Sequence, residues 1–381
     1  MEIPFARSDQ STLGVEWEVA LVDAGTGDLV PRGREIQEAV LGARPEWGAA
    51  GDHPQLTGEF LRNTIEMVTG VCRDVADSTE QLAAVLEQVR EATDPRGLEV
   101  FAAGTHPFAR WQDQEVTDGQ RYSRLVDRTR YWGRQMVIYG VHVHVGVDSR
   151  TKVLPVIDGL LSYYPHLLAL SANSPFWAGE DTGYASQRAM LFQQLSTAGL
   201  PHRLPSWEAY ERCLGDMVAT GIIDEPSEAR WDVRPVPRLG TVEVRICDGL
   251  STLWEVGALT ALTQCLVDFL SRDVEAGRVP VRLEPWHLRE NKWRAARYGL
   301  ETSVITDPRN TERDLREDIT ALLDRLEPVA ARLGCARELA DVERILREGA
   351  GYRRQRAAAA ATGGDLRAVV RQSVRRTRGN D

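Results

Sequence analysis

From Leu13 to Val19 apolar and polar residues alternate with a period of two, and both polar members flanking Trp17 are carboxylates. On a β-strand alternate side chains share a face, so Glu16 and Glu18 project together while Val15, Trp17 and Val19 pack behind them. Three further stretches carry ionisable groups in the same way. Ile65, Met67 and Val68 give strand character to the second half of 56–71, which holds Glu59 and Glu66. The run 137–147 sets His142 and His144 on one face and valines on the other. Between Gly240 and Cys247, Glu243 and Arg245 alternate with Val242, Val244 and Ile246.

Helical spacing fills much of the remainder. The turn at Asp23 to Asp28 and a return strand at Leu29-Val30 predict an opening β-hairpin, followed by a short helix from Gly33 to Leu41. Val75, Leu82, Val85, Leu86 and Val89 mark an amphipathic helix over 74–93 that stops at Pro95. A short strand is expected over 98–105, a helix over 119–136, an apolar core helix over 151–172 and another strand over 231–236. The segment 173–188 is too rich in Gly, Asn and Asp to be regular throughout. The last third reads as packed helices over 253–276, 284–298, 310–333 and up to Gly349, with a final helix from Asp365. Strands gather in the first two-thirds without βαβ alternation, which predicts an α+β fold, a mixed and mainly antiparallel sheet covered by helices. No repeat or flexible linker divides the chain, so residues 1–350 are expected to form one catalytic domain, with 351–381 a basic helical tail packed on it.

Composition narrows the class. A chain of 381 residues, 43% hydrophobic, can bury a large core. No charged, apolar leader opens it, and Asp158 and Asp268 interrupt the most apolar runs, which leads us to expect a cytoplasmic protein without membrane spans. The five cysteines form no Cys-x-x-Cys pair and suit core thiols rather than disulfides or zinc. The net charge of −10 argues against nucleic acid as the main partner, although eight arginines against two aspartates make 352–381 basic. Arginines spaced along a helix more often pair with an acidic body than bind nucleic acid.

If the four polar-faced strands lie in one sheet, five carboxylates and one or two imidazoles meet on one surface. Such a donor set suits Mg²⁺ or Mn²⁺ rather than zinc. Ordinary readings stand beside this one. An amphipathic strand with an acidic solvent face would look like 13–19, the histidines could be ordinary strand residues, Glu243 and Arg245 could simply pair, and Arg188 could cap a helix. The chain has neither a Gly-x-x-x-x-Gly-Lys-Ser/Thr loop nor a Gly-x-Gly-x-x-Gly turn, so a nucleotide would have to be held by metal ions and arginine. Neutralising Glu16 or Glu243 is expected to abolish turnover and to stabilise the metal-free protein by relieving repulsion.

Taken in order, Gly14-Val15-Glu16-Trp17-Glu18, the segment from Glu59 to Ile65-Glu66-Met67-Val68-Thr69, Gly104-Thr105-His106-Pro107, His142-Val143-His144-Val145-Gly146, Asn173-Ser174-Pro175-Phe176-Trp177 with Asp181-Thr182-Gly183-Tyr184, Glu243-Val244-Arg245 and Asn291-Lys292-Trp293-Arg294 resemble the YbdK-like carboxylate-amine ligases, or glutamate-cysteine ligase type 2. The resemblance covers nearly the whole chain. It implies a glutamine synthetase-like fold whose antiparallel sheet forms an active-site funnel. It also implies ATP-dependent amide formation through an acyl phosphate, of γ-glutamyl type and with weak glutamate-cysteine ligation among the activities attributed to the family. By it Glu16, Glu18, Glu59, Glu66, His144 and Glu243 would be Mg²⁺ ligands. Arg245 and Arg188 would contact phosphate or the substrate carboxylate, Tyr184 would neighbour the substrate, and the protein would be a dimer or higher oligomer. Many members carry an acid where this chain has Trp17. The competing readings are a metal-dependent amide hydrolase on the same acidic face and a non-catalytic nucleotide-binding or nucleic-acid-binding protein.

Overall fold

The alternating stretches close into one sheet in a computed structural model that describes residues 1–49, 51 and 53–380. Its strands are β1 (Leu13–Asp23), β2 (Gln55–Gly58), β3 (Thr64–Val68), β4 (Leu98–Phe101), β5 (Gly140–Gly146), β6 (Val233–Val236) and β7 (Thr241–Asp248). They lie in the order β6-β7-β5-β1-β3-β2, with β4 paired to the end of β1, and all these pairings are antiparallel. The sheet is therefore not mixed, and the parallel ladder of the fold, Ala198–Gly199 with Arg230–Trp231, lies outside it. The expected return strand at Leu29 shrinks to a single bridge with Val22, because Pro31 has no N–H to continue the pairing.

One face of the sheet is core. Val15, Trp17 and Val19 of β1, Ile65 and Met67 of β3 and Val141, Val143 and Val145 of β5 are all fully buried. Burying the Trp17 side chain contributes on the order of 3 kcal/mol, offset in part by an indole N–H without an acceptor. Because the period is two, a slip of one residue would exchange this core for the charged face, which fixes the register strongly.

Helices cover the apolar face and the rim: α1 (Gly33–Ala43), α2 (Val75–Thr93), α3 (Gln120–Arg134), α4 (Arg150–Ser171), α5 (Gln187–Phe192), α6 (Trp207–Ala219), α7 (Leu253–Glu275), α8 (Pro285–Tyr298), α9 (Leu315–Leu333), α10 (Ala336–Glu348), α11 (Gly351–Ala361) and α12 (Leu366–Thr377). Their starts follow their caps. Asp74 accepts from the Asp77 N–H at 2.9 Å, and Thr252 accepts from that of Glu255 at 3.3 Å. The helix expected from residue 310 starts at Leu315, since Glu312–Asp314 pair with Ser303–Ile305 and Asp314 then caps the helix.

Contrary to the expectation from Asp158 and Asp268, α4 and α7 are each long and apolar enough to cross a membrane by length and composition alone. They are the mostly buried helices packed on the sheet. Asp268 is neutralised in place by Arg272 at 2.9 Å and Arg332 at 2.6 Å, so a carboxylate need not interrupt the run.

The basic tail turns its charge inward. Arg353 pairs with Glu301, Arg354 with the buried Glu255, Arg356 with both oxygens of Asp181, and Arg378 with Asp94 and Glu99. Asp381 lies outside the described residues. Arg354→Ala is expected to destabilise the fold by about 3 kcal/mol, since it strips a buried carboxylate of its main partner. An unchanged denaturation midpoint would show that the pair does not hold the tail to the body.

Candidate active site

The polar face of the sheet gathers the charged residues through cross-strand register. Glu16 lies opposite His142, Glu18 opposite Glu66, and Glu243 opposite both His144 and Arg234. Glu16 Oε2 is 2.8 Å from His142 Nδ1 and Oε1 is 3.2 Å from His144 Nε2, so one carboxylate engages both imidazoles. Glu59 reaches the cluster from the loop between β2 and β3, where its carboxylate accepts the Phe60 N–H at 2.7 Å.

Ligand atoms of Glu16, Glu66 and His142 lie within 4.8 Å of one another, as do those of Glu16, His144 and Glu243, and those of Glu18, Glu59 and Glu66. The three groups form a chain, with Glu16 in two of them and Glu66 in two. The structure thus brings all six residues expected as ligands to one place and adds His142, whose role the sequence left open.

Burial and mutual repulsion divide these acids into two kinds. Burial, with Glu59 nearby, pushes Glu18 up to about 8. Glu59 is also raised, chiefly by burial, and Glu66 is raised well above the ordinary range by burial and then by Glu16, Glu59 and Glu18. Burial pushes Glu16 the same way, but its bonds to His142 and His144 outweigh it and hold the carboxyl well below its ordinary value. Glu243 is likewise low, because Arg234 and Arg245 overcome its burial. His142 is pushed down to about 4 by burial and Arg245, whereas Glu243 and Glu16 raise His144 despite burial. Oxygen-rich donors, three of them shifted toward the protonated form chiefly by burial, fit a set of hard divalent cations that would compete with those protons.

The cluster opens into a cavity of about 650 Å³ whose lining includes Glu16, Glu59, Glu66, His142, His144 and Arg245. Arg245 pairs with Glu243, and its Nε has no protein partner. Sequence reasoning missed Arg121, Arg230 and Arg234, which also line it. Arg234 was within reach, since it alternates with Val233 along β6. Arg121 and Arg230 are placed by tertiary contacts that no local pattern carries. Burial and the neighbouring arginines push Arg230 down to about 10.

The resemblance sets Arg188 and Tyr184 on the substrate side; neither lines the cavity itself, although Arg188 Nη2 lies 3.5 Å from His142 Nε2 at the base of the cluster. Arg188 is buried and absent from the cavity lining, with Nη1 donating at 3.2 Å to the carbonyls of both Arg245 and Ile246. Those carbonyls sit at a β-bulge, where the β7–β5 register shifts between Val244 and Cys247. Gly140 makes room for this guanidinium, because a Cβ there would lie 2.2 Å from Nη2. Tyr184 does not line the cavity either, since its hydroxyl meets Trp293 Nε1 at 3.3 Å and Arg297 lies over its ring. Asp248 secures the segment that carries both: its carboxylate accepts from Asn173 N at 2.8 Å, Ser174 Oγ at 2.6 Å and Ser186 Oγ at 2.8 Å.

The same architecture occurs in solved ligases. The glutamate-cysteine ligase of Francisella tularensis, solved in complex with AMP, superposes with a TM-score of 0.68 at 15% identity, covering 99% of this chain and 90% of that one. A bifunctional glutathione synthetase from Pasteurella multocida gives 0.64 at 15% identity, covering 97% of this chain and 51% of that one. These likenesses establish the fold, the glutamine synthetase-like class expected from the sequence. A protein of Arthrobacter sp. (strain FB24), provisionally named glutamate-cysteine ligase 2-1, is 59% identical over 378 residues, 99% of each chain. A Mycobacterium tuberculosis relative, provisionally named glutamate-cysteine ligase 2, is 53% identical over 368 residues, covering 97% of this chain and 95% of that one. The profile of glutamate-cysteine ligase family 2 matches residues 12–372, and the chain belongs to that family.

Proposed function

We propose that this cleft joins a carboxylate to an amine at the expense of ATP, with Mg²⁺ or Mn²⁺ held by Glu16, Glu18, Glu59, Glu66, His142, His144 and Glu243. The observation that carries the reading is the chain of three donor groups, each with ligand atoms within 4.8 Å of one another, facing a cavity that also holds arginine. The cations would supply charge neutralisation for the phosphate oxygens of ATP.

The protein's own groups do the rest. Arg245, fixed by Glu243 and lining the cavity, stabilises charge on the phosphoryl group as it moves to the substrate carboxylate. Arg121 and Arg230 extend that positive wall. Transfer breaks the bond between the β,γ-bridging oxygen and the γ-phosphorus and forms an acyl phosphate and ADP. The amine nitrogen then attacks the acyl carbon, phosphate leaves, and the nitrogen loses a proton to give the amide. Arg188 acts here by holding the strand that aims Arg245 rather than by touching substrate.

The names of the relatives make glutamate and cysteine the first pair to test. ADP release measured across panels of acids and amines is expected to require an acid, an amine and Mg²⁺ together. If the protein binds ATP yet no pair yields amine-dependent ADP, the ligase reading fails. Amide cleavage without ATP consumption would place the cleft among hydrolases instead.

A further inference from the structure

The cavity beside the carboxylates has a second, chemically different end. On β6 the side chains of Arg234 and Val236 share a face, so Val236 lies about 7 Å farther along the strand than the arginine that pairs with Glu243. The lining there brings together the apolar residues Ile3, Pro4, Tyr210, Pro235, Val236 and Pro237, with Arg238 as the next residue along the chain. Two of these residues come from the extreme N-terminus, which is tied across the sheet edge. The Ile3 N–H donates to Glu211 at 2.8 Å, the Trp207 indole N–H donates to the Ile3 carbonyl at 3.1 Å, and the Ala6 N–H donates to the Pro237 carbonyl at 2.8 Å. Phe5 packs edge-on against Trp207 with ring centroids 5.5 Å apart.

We propose that residues 1–6 form a strap whose Ile3 and Pro4 make one wall of a slot for the base of the nucleotide, opposite Tyr210 and Val236. The inference rests on the ligase reading above and adds which segment selects the nucleotide. A nucleoside triphosphate is charged at one end and flat and apolar at the other, and this cavity divides in the same sense. Polyphosphate belongs beside the carboxylates and arginines. Burying a planar ring between aliphatic and aromatic side chains is favourable, and Arg238, which follows Pro237 in the lining, can lie over the face of such a ring. The acid and amine, which are polar, gain nothing from those apolar side chains.

The test compares Mg-ATP with Mg-tripolyphosphate, which has the triphosphate and no base, by calorimetry on the 381-residue chain. Wild type is expected to bind ATP at least tenfold more tightly than tripolyphosphate. Ile3→Asp should remove most of that difference while leaving tripolyphosphate affinity unchanged. Pro4 is exposed, so Pro4→Trp disturbs no core packing, and its indole should fill the slot and weaken ATP alone by about tenfold or more. ATP affinity unchanged in Pro4→Trp, or equal wild-type affinities for the two ligands, would overturn the strap while leaving the ligase reading intact. Binding of neither ligand would remove both.

Discussion

Glu66→Gln is expected to lose amine-dependent ADP release by roughly 10²–10³-fold, as removal of a principal electrostatic group at a reacting centre does, and yet to be more stable than wild type without metal. Both effects follow from one position. Glu66 belongs to two of the three donor groups, so its loss weakens two of them at once. In the metal-free protein it is also the acid most burdened by neighbouring carboxylates, and it is held protonated by burial and by Glu16, Glu59 and Glu18. Glutamine keeps the shape, can still accept from Thr57 Oγ1, and cannot ionise. The expected gain is about 1 kcal/mol near neutral pH, read as a higher denaturation midpoint in EDTA. A midpoint lower than wild type at pH 8 would sink this account.

The same reasoning corrects the expectation for Glu16 and Glu243. Neither is relieved by neutralisation, because Glu16 is stabilised by His142 and His144, and Glu243 by Arg234 and Arg245. Glu243→Gln leaves two buried arginines short of their shared counter-charge, so it should abolish turnover and lower stability together.

The second large effect is a pH dependence that metal reverses. Glu18 stands at about 8 in the folded protein against an ordinary 4.5, and Glu59 and Glu66 are raised as well. Each therefore keeps a proton that the unfolded chain has already released. Their contribution to stability is full below about pH 4.5 and is lost as pH rises through the folded values, at about 1.4 kcal/mol per retained proton per pH unit. His144 is raised and acts in the same direction, while His142, pushed down to about 4, is neutral in both states above pH 6.5. Metal-free protein should thus melt at a higher temperature at pH 6.5 than at pH 8. Saturating Mg²⁺ competes with the retained protons, so its stabilisation should be larger at pH 8. Calorimetric scans at the two pH values, with EDTA and with Mg²⁺, decide it. Equal Mg²⁺ stabilisation at both would mean that the cation does not bind at these carboxyl groups. The gain from Glu66→Gln should shrink toward zero near pH 5, linking the two experiments.

Much of this site was legible because its ligands lie on strands. A period of two announces that Glu16 and Glu18, or Glu243 and Arg245, share a face, and apolar partners between them announce which face is core. What alternation cannot carry is pairing across strands. That Glu16 would hold both histidines, or that Arg234 would oppose Glu243, depends on registers set by the whole sheet. Arg188 shows the same gap from the other side. Its substrate contact came from the family resemblance alone, and no local pattern shows that its guanidinium turns inward to the carbonyls of the bulge at Arg245–Ile246 and to His142. The helix start missed at Asn310 and the return strand missed at Leu29 were decided by a short strand pair and by Pro31, local features too brief to outweigh the longer pattern around them.

Asp248 holds Asn173 and Ser174 at one end of the polar loop and Ser186 at the other with a single carboxylate. The loop is therefore closed at its base like a drawn purse. Its outer part can lengthen, shorten or change composition without moving Arg188 or the bulge beneath it. Diversification there is insulated from the phosphoryl-transfer machinery, which makes the hairpin tip at Ala178-Gly179, clear of Asp181 and its pair with Arg356, a natural place to insert a tag or a new recognition element in a working enzyme.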